Sequence, residues 1–278
     1  MLHNVKELLG CHIHANDGEI GTVKDLYFDD ERWVIRYLVV ETGTWLASRR
    51  VLISPISVRD TTWVDNVMRV SLTQRQVKDS PDIDTDKPVC RQHEVDYHNY
   101  YGYPNYWEGA NLWGASMYPV IPWVDSSAGV ETLRESREAA VAHEMQARLT
   151  LKGEPADPHL RSCDEVAGYE VLATDGLIGR VADFIFDDKH WAVRYIDVDT
   201  HRRMPGKHVL ISRAWVDQVS WTEHQVLVDV TRKAVETGPA YEAGHPLTRQ
   251  QEANLHEHHE RAPYWPLTDV QECARLEP

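Results

Sequence analysis

The sequence predicts a mainly β protein: two small β-barrel modules, each followed by a short helical tail and joined by an aromatic-rich linker with one helix. Three observations carry this. The chain repeats itself without a gap at a fixed spacing of 158 residues, from about Leu2–Trp107 onto Leu160–Trp265. Short β-type runs separated by Gly, Asp and Asn turns fill the first ~75 residues of each copy. After them, each copy changes to a segment poor in β-branched residues that reads as a helix of about three turns.

The repeat is clearest at "YFDDERWVIRY" (Tyr27–Tyr37), which returns as "IFDDKHWAVRY" (Ile185–Tyr195). Before it, "ANDGEIGTVKD" lies over "ATDGLIGRVAD", and after it "VLIS" lies over "VLIS". Further on, "PVCRQHE" falls on "PLTRQQE", and Tyr106-Trp107 on Tyr264-Trp265. The chain therefore divides into a first barrel (1–81), its tail (82–107), a linker (108–158), a second barrel (159–239), and a second tail with the C-terminus (240–278).

Strands are predicted at Cys11–Ala15, Ile20–Phe28, Trp33–Glu41, Arg50–Ile53, Ile56–Arg59 and Val67–Leu72, and again 158 residues later. In the first hairpin a symmetric turn pairs residues whose numbers sum to 61, setting Asp25 opposite Arg36 and Val23 opposite Leu38. The second copy likewise sets Asp183 opposite Arg194. Such cross-strand ion pairs fix register and are expected to be structural. Asp29-Asp30 and Asp187-Asp188 are turn formers, since a short carboxylate bonds nearby backbone N–H groups. Gly18, Gly21, Gly176 and Gly179 supply turn or bulge geometry and lie in no phosphate-binding motif. In the tails, Arg91 and Glu94, like Arg249 and Glu252, are spaced to pair on one helical face, and Thr248 with Gln251 forms a capping box.

The DG-x-IG-x-V-x-D opening, the FDD-x-x-W-x-x-RY hairpin and the VLIS strand resemble the PRC-barrel domain of the photosynthetic reaction centre H chain and of a ribosome-maturation factor. The tail pattern P-x-x-R-Q-x-E followed by YW resembles that of bacterial tandem PRC-barrel proteins. The likeness covers both modules. It implies a six-stranded open antiparallel barrel used as a protein-binding adaptor. The sequence shows neither the transmembrane helix of the one relative nor the N-terminal domain of the other, so electron-transfer or ribosomal roles are not carried over.

The span Tyr97–Trp123 is crowded with Tyr and Trp, types that bury large areas and recur at interfaces. Tyr101, Tyr106, Trp107, Trp113, Trp123, Tyr264 and Trp265 are the candidate interaction residues. They form either an exposed docking surface or a strap packed on a barrel edge; the strap is the reading preferred, because so apolar a patch would aggregate in water. A helix is predicted over Thr132–Leu151, rich in Ala, Glu and Arg.

With 44 acidic against 29 basic residues, the net charge of -15 repels phosphate backbones and anionic lipid, so no nucleic-acid partner is expected. Four cysteines without CxxC spacing, no signal-peptide layout and no membrane-spanning run lead to the expectation of a cytoplasmic protein. No hydrolase, zinc-protease or nucleotide-binding motif is present, and an enzyme is not expected. His256 and His259, three apart on a helix, and His12 with His14 on a strand are the nearest approach to metal ligands, yet a site needs a third or fourth ligand. Neither metal nor cofactor is expected. The function expected is a non-catalytic adaptor or scaffold binding an unidentified protein, itself, or both. The alternative is a small-ligand or metal sensor.

Overall fold

The computed structural model describes residues 1–59, 66–81, 89, 91–121, 159–200 and 207–265. Trp123, Cys90, Cys273 and the helix expected over Thr132–Leu151 lie outside the described residues.

Each copy folds around a long hairpin. In the first, β3 (Glu19–Asp29) pairs antiparallel with β4 (Ile35–Thr42), and β4 with β5 (Arg50–Ile53). On the other side, β2 (His12–His14) joins β3, and β6 (Val67–Arg69) joins β2. The second copy repeats this with β8 (Glu170–Ala173), β9 (Gly176–Asp187), β10 (Ala192–Asp199), β11 (His208–Ser212), β12 (Val216–Ser220) and β13 (Gln225–Val228), in the order β11-β10-β9-β8-β13-β12. The two edge strands β11 and β12 are consecutive in the chain, joined through a 3-10 turn at Arg213–Trp215, which gives an open barrel.

Two expectations are corrected here. The sheets are mixed, not antiparallel throughout: β2–β6 and β8–β13 run parallel, because the strand that opens each barrel is met by the last strand returning in the same direction. Ile56–Arg59 is not a strand; it starts with a Ser54-capped 3-10 turn at Pro55–Ser57 and bridges Val58 to Val70, whereas its counterpart 158 residues later runs into strand β12. Gly21 and Gly179 stand where the hairpin strands approach closely. A Cβ there would lie 2.0 Å from the Glu41 carbonyl oxygen and 2.1 Å from that of Asp199.

The hairpin register also differs from expectation. Asp25 lies opposite Val39, Val23 opposite Val40, and Asp183 opposite Asp197. The symmetric turn fails as a guide because β4 carries an extra residue, Arg36, between Ile35 and Tyr37, and β3 an extra Lys24. Arg194 is the matching extra residue of β10. A bulge re-aims its side chain, and Arg36 and Arg194 turn back to the aspartates that open their own turns. Arg36 Nε donates to Asp29 at 2.7 Å, and Arg194 Nε to Asp187 at 2.6 Å. The other oxygen of each aspartate accepts a turn N–H, from Arg32 at 2.6 Å and from His190 at 2.7 Å. Trp33 and Trp191 close the turns with φ of 58° and 57°.

The modules are not independent. β1 (Leu2–Asn4), at the start of the first copy, pairs with β9 of the second, while β7 (Leu160–Ser162), at the start of the second, pairs with β3 of the first. The hairpin ends also meet: Ile35 N–H donates to the Trp191 carbonyl at 2.7 Å, and Val193 N–H to that of Trp33 at 2.8 Å. Phe28, Trp33 and Phe184 pack between them at ring separations of 5.4 to 6.4 Å, so one continuous apolar core crosses from module to module.

Asp25 and Asp183, freed from the expected ion pairs, secure this exchange. Asp25 accepts the Ser162 hydroxyl at 2.5 Å and the Asp164 N–H at 3.2 Å, at the start of the short helix α4 (Cys163–Val166) that follows β7. Asp183 accepts the Lys6 N–H at 3.3 Å, in α1 (Val5–Leu8) after β1. Each carboxylate thus sits on unsatisfied backbone donors of the other module's first turn. Burial pushes the Asp183 carboxyl up to about 6, outweighing the Phe184 and Lys6 N–H groups, with Asp197 adding repulsion across the sheet.

Because that value lies above the ordinary 3.8, the folded chain holds this proton more tightly than the unfolded chain does. The contribution of Asp183 to stability is therefore greatest below about pH 4 and declines as pH rises to about 6, by at most about 3 kcal/mol. In Asp183→Asn, urea melts at pH 4.5 and 7 should show a smaller stability difference than wild type; an unchanged difference would sink this account.

A buried polar cluster repeated in both modules

The tail helices bring the functional-type side chains together. α3 (Arg91–Tyr101) lies against the first barrel, and its equivalent, which we number α6 (Arg249–His258), against the second; α2 (Gln74–Lys78) and α5 (Arg232–Thr237) are short capped helices between barrel and tail. Thr248 and Gln251 form the expected capping box, and Arg91–Glu94 and Arg249–Glu252 pair at 3.1 and 2.9 Å.

In the first module Glu94, wholly buried, is the centre. It takes the Tyr106 hydroxyl at 2.5 Å and Arg91, has the Tyr37 hydroxyl at 3.1 Å, and meets His159 Nε2 at 2.5 Å. His98 Nδ1 lies 2.9 Å from the Pro104 carbonyl, a contact that requires the proton on that nitrogen, so Nε2, 2.9 Å from the Tyr37 hydroxyl, is an acceptor that competes with Glu94 for its single proton. Burial drives the His98 pKa down to about 4, which keeps the ring neutral. Burial also works to raise Glu94, but His159, Arg91 and Tyr106 outweigh it and hold the carboxyl below its ordinary range.

The second module reproduces the set at the 158-residue spacing. Glu252 accepts from Tyr195 and Tyr264, each at 3.0 Å, and from Arg249; Tyr195 lies 3.1 Å from His256 Nε2. Here burial raises Glu252, because Arg249 and the two tyrosines offset it only in part. His256 and His259, the histidines spaced like metal ligands, are engaged otherwise: His256 is buried in the cluster, and His259 packs on Trp215 at 4.5 Å. His12 lies 2.7 Å from Glu19. Among the described residues no three His, Cys, Asp or Glu side chains gather as a metal site would require.

The aromatic candidates divide by module. Tyr106 and Trp113 are buried, sandwiching the Arg36 guanidinium at 3.7 and 4.7 Å, and Trp107 stacks over Arg91 at 4.4 Å. Tyr101 stacks on Tyr103 at 5.3 Å. Arg32 donates to the carbonyls of Tyr106, Gly109 and Asn111, tying the strap down, and Trp113 Nε1 donates to the His190 carbonyl at 2.8 Å. Trp265 is buried under Arg249, whereas Tyr264 is 37 % exposed. Tyr264, Arg194, Arg249 and Glu252 line a cavity of about 740 Å³ shared with Leu112, Tyr118, His190 and Leu247.

Tyr37, Glu94, His98 and Arg91, with Tyr195, Glu252, His256 and Arg249, were not singled out by sequence as one site. The available signal was their identity at the repeat spacing, in polar types that a repeat does not need for its surface. Glu94 on the tail helix faces the Tyr37 hydroxyl of the barrel, so the first cluster latches the tail helix to the barrel.

A two-module barrel with each tail latched by this cluster defines the class, and the sequence comparison agrees with it: the PRC-barrel domain matches residues 2–73 and 158–235. The chain belongs to the PRC-barrel family. A search of curated proteins finds no match.

The Arg36–Asp29 pair is fully buried and the Arg194–Asp187 pair is partly open. Removing one partner of a buried pair strands the other, at about 3–5 kcal/mol, while exposed pairs contribute about 1 kcal/mol or less. Arg36→Ala is therefore expected to lose more stability in urea than Arg194→Ala. Equal losses would show that the two pairs are energetically alike.

Proposed function

We propose that this protein is a non-catalytic adaptor or scaffold, in which the fused barrels form a rigid base for binding another protein or a further copy of the chain. The observation that carries the reading is the strap. Up to Trp113 it packs inward, but Met117, Tyr118, Val120 and Ile121 stand 43 to 53 % exposed in succession. Clustered apolar side chains of this size at a surface mark interaction sites. The titratable groups of the clusters are largely buried and bonded to one another, which supports a structural role for them and a non-catalytic one for the chain.

The net charge of -15 favours a partner that is neither nucleic acid nor anionic lipid. No helix among the described residues is long and apolar enough to cross a membrane. Cys11 and Cys163 are buried free thiols, which suits the reducing cytoplasm as its compartment.

The test uses the tagged full chain and a Val120→Asp/Ile121→Asp variant, with light scattering on both. A stoichiometric partner, or self-association, should be seen with wild type and lost in the variant, while Tm stays within about 2 °C, as expected for surface changes. Association retained in the variant, or a wild-type chain that is monomeric and captures nothing, would overturn the proposal.

A further inference from the structure

The two copies of the polar cluster differ in how they are filled. In the first module the imidazole of His159 closes on Glu94 at 2.5 Å and lies 3.2 Å from the Tyr106 hydroxyl, while the indole of Trp113 covers Arg36 at 4.7 Å. Arg32 fixes the strap that delivers the indole. At the repeat spacing of 158 residues the second module has Met1 for His159 and His190 for Arg32. The second copy thus has no imidazole at the position of His159 and no arginine at that of Arg32. Met1 keeps the backbone role of His159, its carbonyl accepting the Asp188 N–H at 3.1 Å as that of His159 accepts the Asp30 N–H at 3.0 Å. The imidazole alone is missing.

What remains is the cavity of about 740 Å³, with volume in the range of small-molecule sites. Glu252, only 2 % exposed, forms part of its wall and has the partners of Glu94 except the imidazole. Trp265, 6 % exposed, also lines it, and its Nε1–H finds no acceptor among the described residues. The Arg194 guanidinium lies over Tyr264 at 4.2 Å on another wall. Arg194, Arg249, Lys189 and the Met1 ammonium face Asp187, Asp188 and Glu252, four cationic groups against three carboxylates. So nearly balanced a lining selects against a strongly charged ligand.

We propose that this cavity binds a small planar nitrogen heteroaromatic compound, of the imidazole, benzimidazole or purine kind, in the place that the His159 imidazole fills in the first module. The ligand's ring N–H donates to Glu252, its unprotonated ring nitrogen accepts from Trp265 Nε1, and its face stacks beside Arg194. The raised carboxyl of Glu252, against the lowered one of Glu94, fits a site short of one donor.

The test is titration of the full chain, with ¹⁵N-labelled indoles, by benzimidazole and by indene, which has the same shape without ring nitrogen. The Trp265 indole resonance, assigned with Trp265→Phe, should shift saturably with benzimidazole and not with indene. Glu252→Gln should weaken benzimidazole at least tenfold, and Leu247→Trp, which fills the cavity without touching the cluster, should abolish the shift. If Glu252→Gln melts early, the indene comparison and Leu247→Trp decide. No saturable shift in wild type at millimolar benzimidazole, equal response to indene, or binding that survives Leu247→Trp would overturn the proposal.

Discussion

The reciprocal exchange of the first strands is the constraint on which the rest of this structure depends. Each barrel receives a strand that its own chain segment does not supply, and an aspartate of the receiving barrel, Asp183 buried and Asp25 half-buried, holds the turn that follows the strand. Antiparallel pairing leaves a sheet edge that must be covered or paired. Duplication at a fixed spacing solves this within one chain, since each copy begins with a strand that pairs with the long hairpin strand of the other. The linker then keeps the effective concentration of the exchanged strands high, and no dimerisation entropy opposes the pairing. The continuous core across the junction follows from it, as does a rigid relation between the two tail clusters.

Within that frame the hairpin bulge sets the clusters. Arg36 and Arg194 are in reach of Asp29 and Asp187 because one additional residue in β4 and β10 re-aims their side chains. The guanidinium so placed becomes the floor on which Tyr106 or Tyr264 lies, which orients the hydroxyl toward Glu94 or Glu252. A buried carboxylate surrounded by donors is costly unless each lone pair is met. The first copy meets the demand with Tyr106, Arg91 and His159, the Tyr37 proton being shared with His98, and the second with Tyr195, Tyr264 and Arg249.

The repeat, the hairpins, the tail helices and the paired Arg-x-x-Glu residues were legible in the sequence because they are local or self-similar. The register was not, because a bulge changes the face of every following side chain and leaves no mark in composition. Asp25 and Asp183 were read as ion-pair partners for the same reason. Nor was the strand exchange legible: Leu2–Asn4 has the same pattern whether it pairs with its own barrel or the other. The cluster stood in plain view as Tyr37, Glu94 and His98 and their identical counterparts, yet residues 57 and 61 apart in sequence have no spacing rule to connect them.

Duplication also explains how one copy can become functional without loss of the fold. The exchanged strands and the shared core join the modules away from the clusters, so a cluster can differ between copies while the same barrel forms around it. The first copy has the His159 imidazole on Glu94; the second has Met1 at that position and a cavity beside the strap. Tyr118, exposed on that strap, stacks on His190 at the cavity wall at 4.9 Å. A ligand seated on Glu252 would therefore lie next to the apolar segment Met117–Ile121, so occupancy of the cavity and the surface offered to a partner are physically coupled. Differential affinity for the two arrangements of that strap is the only quantity such coupling requires.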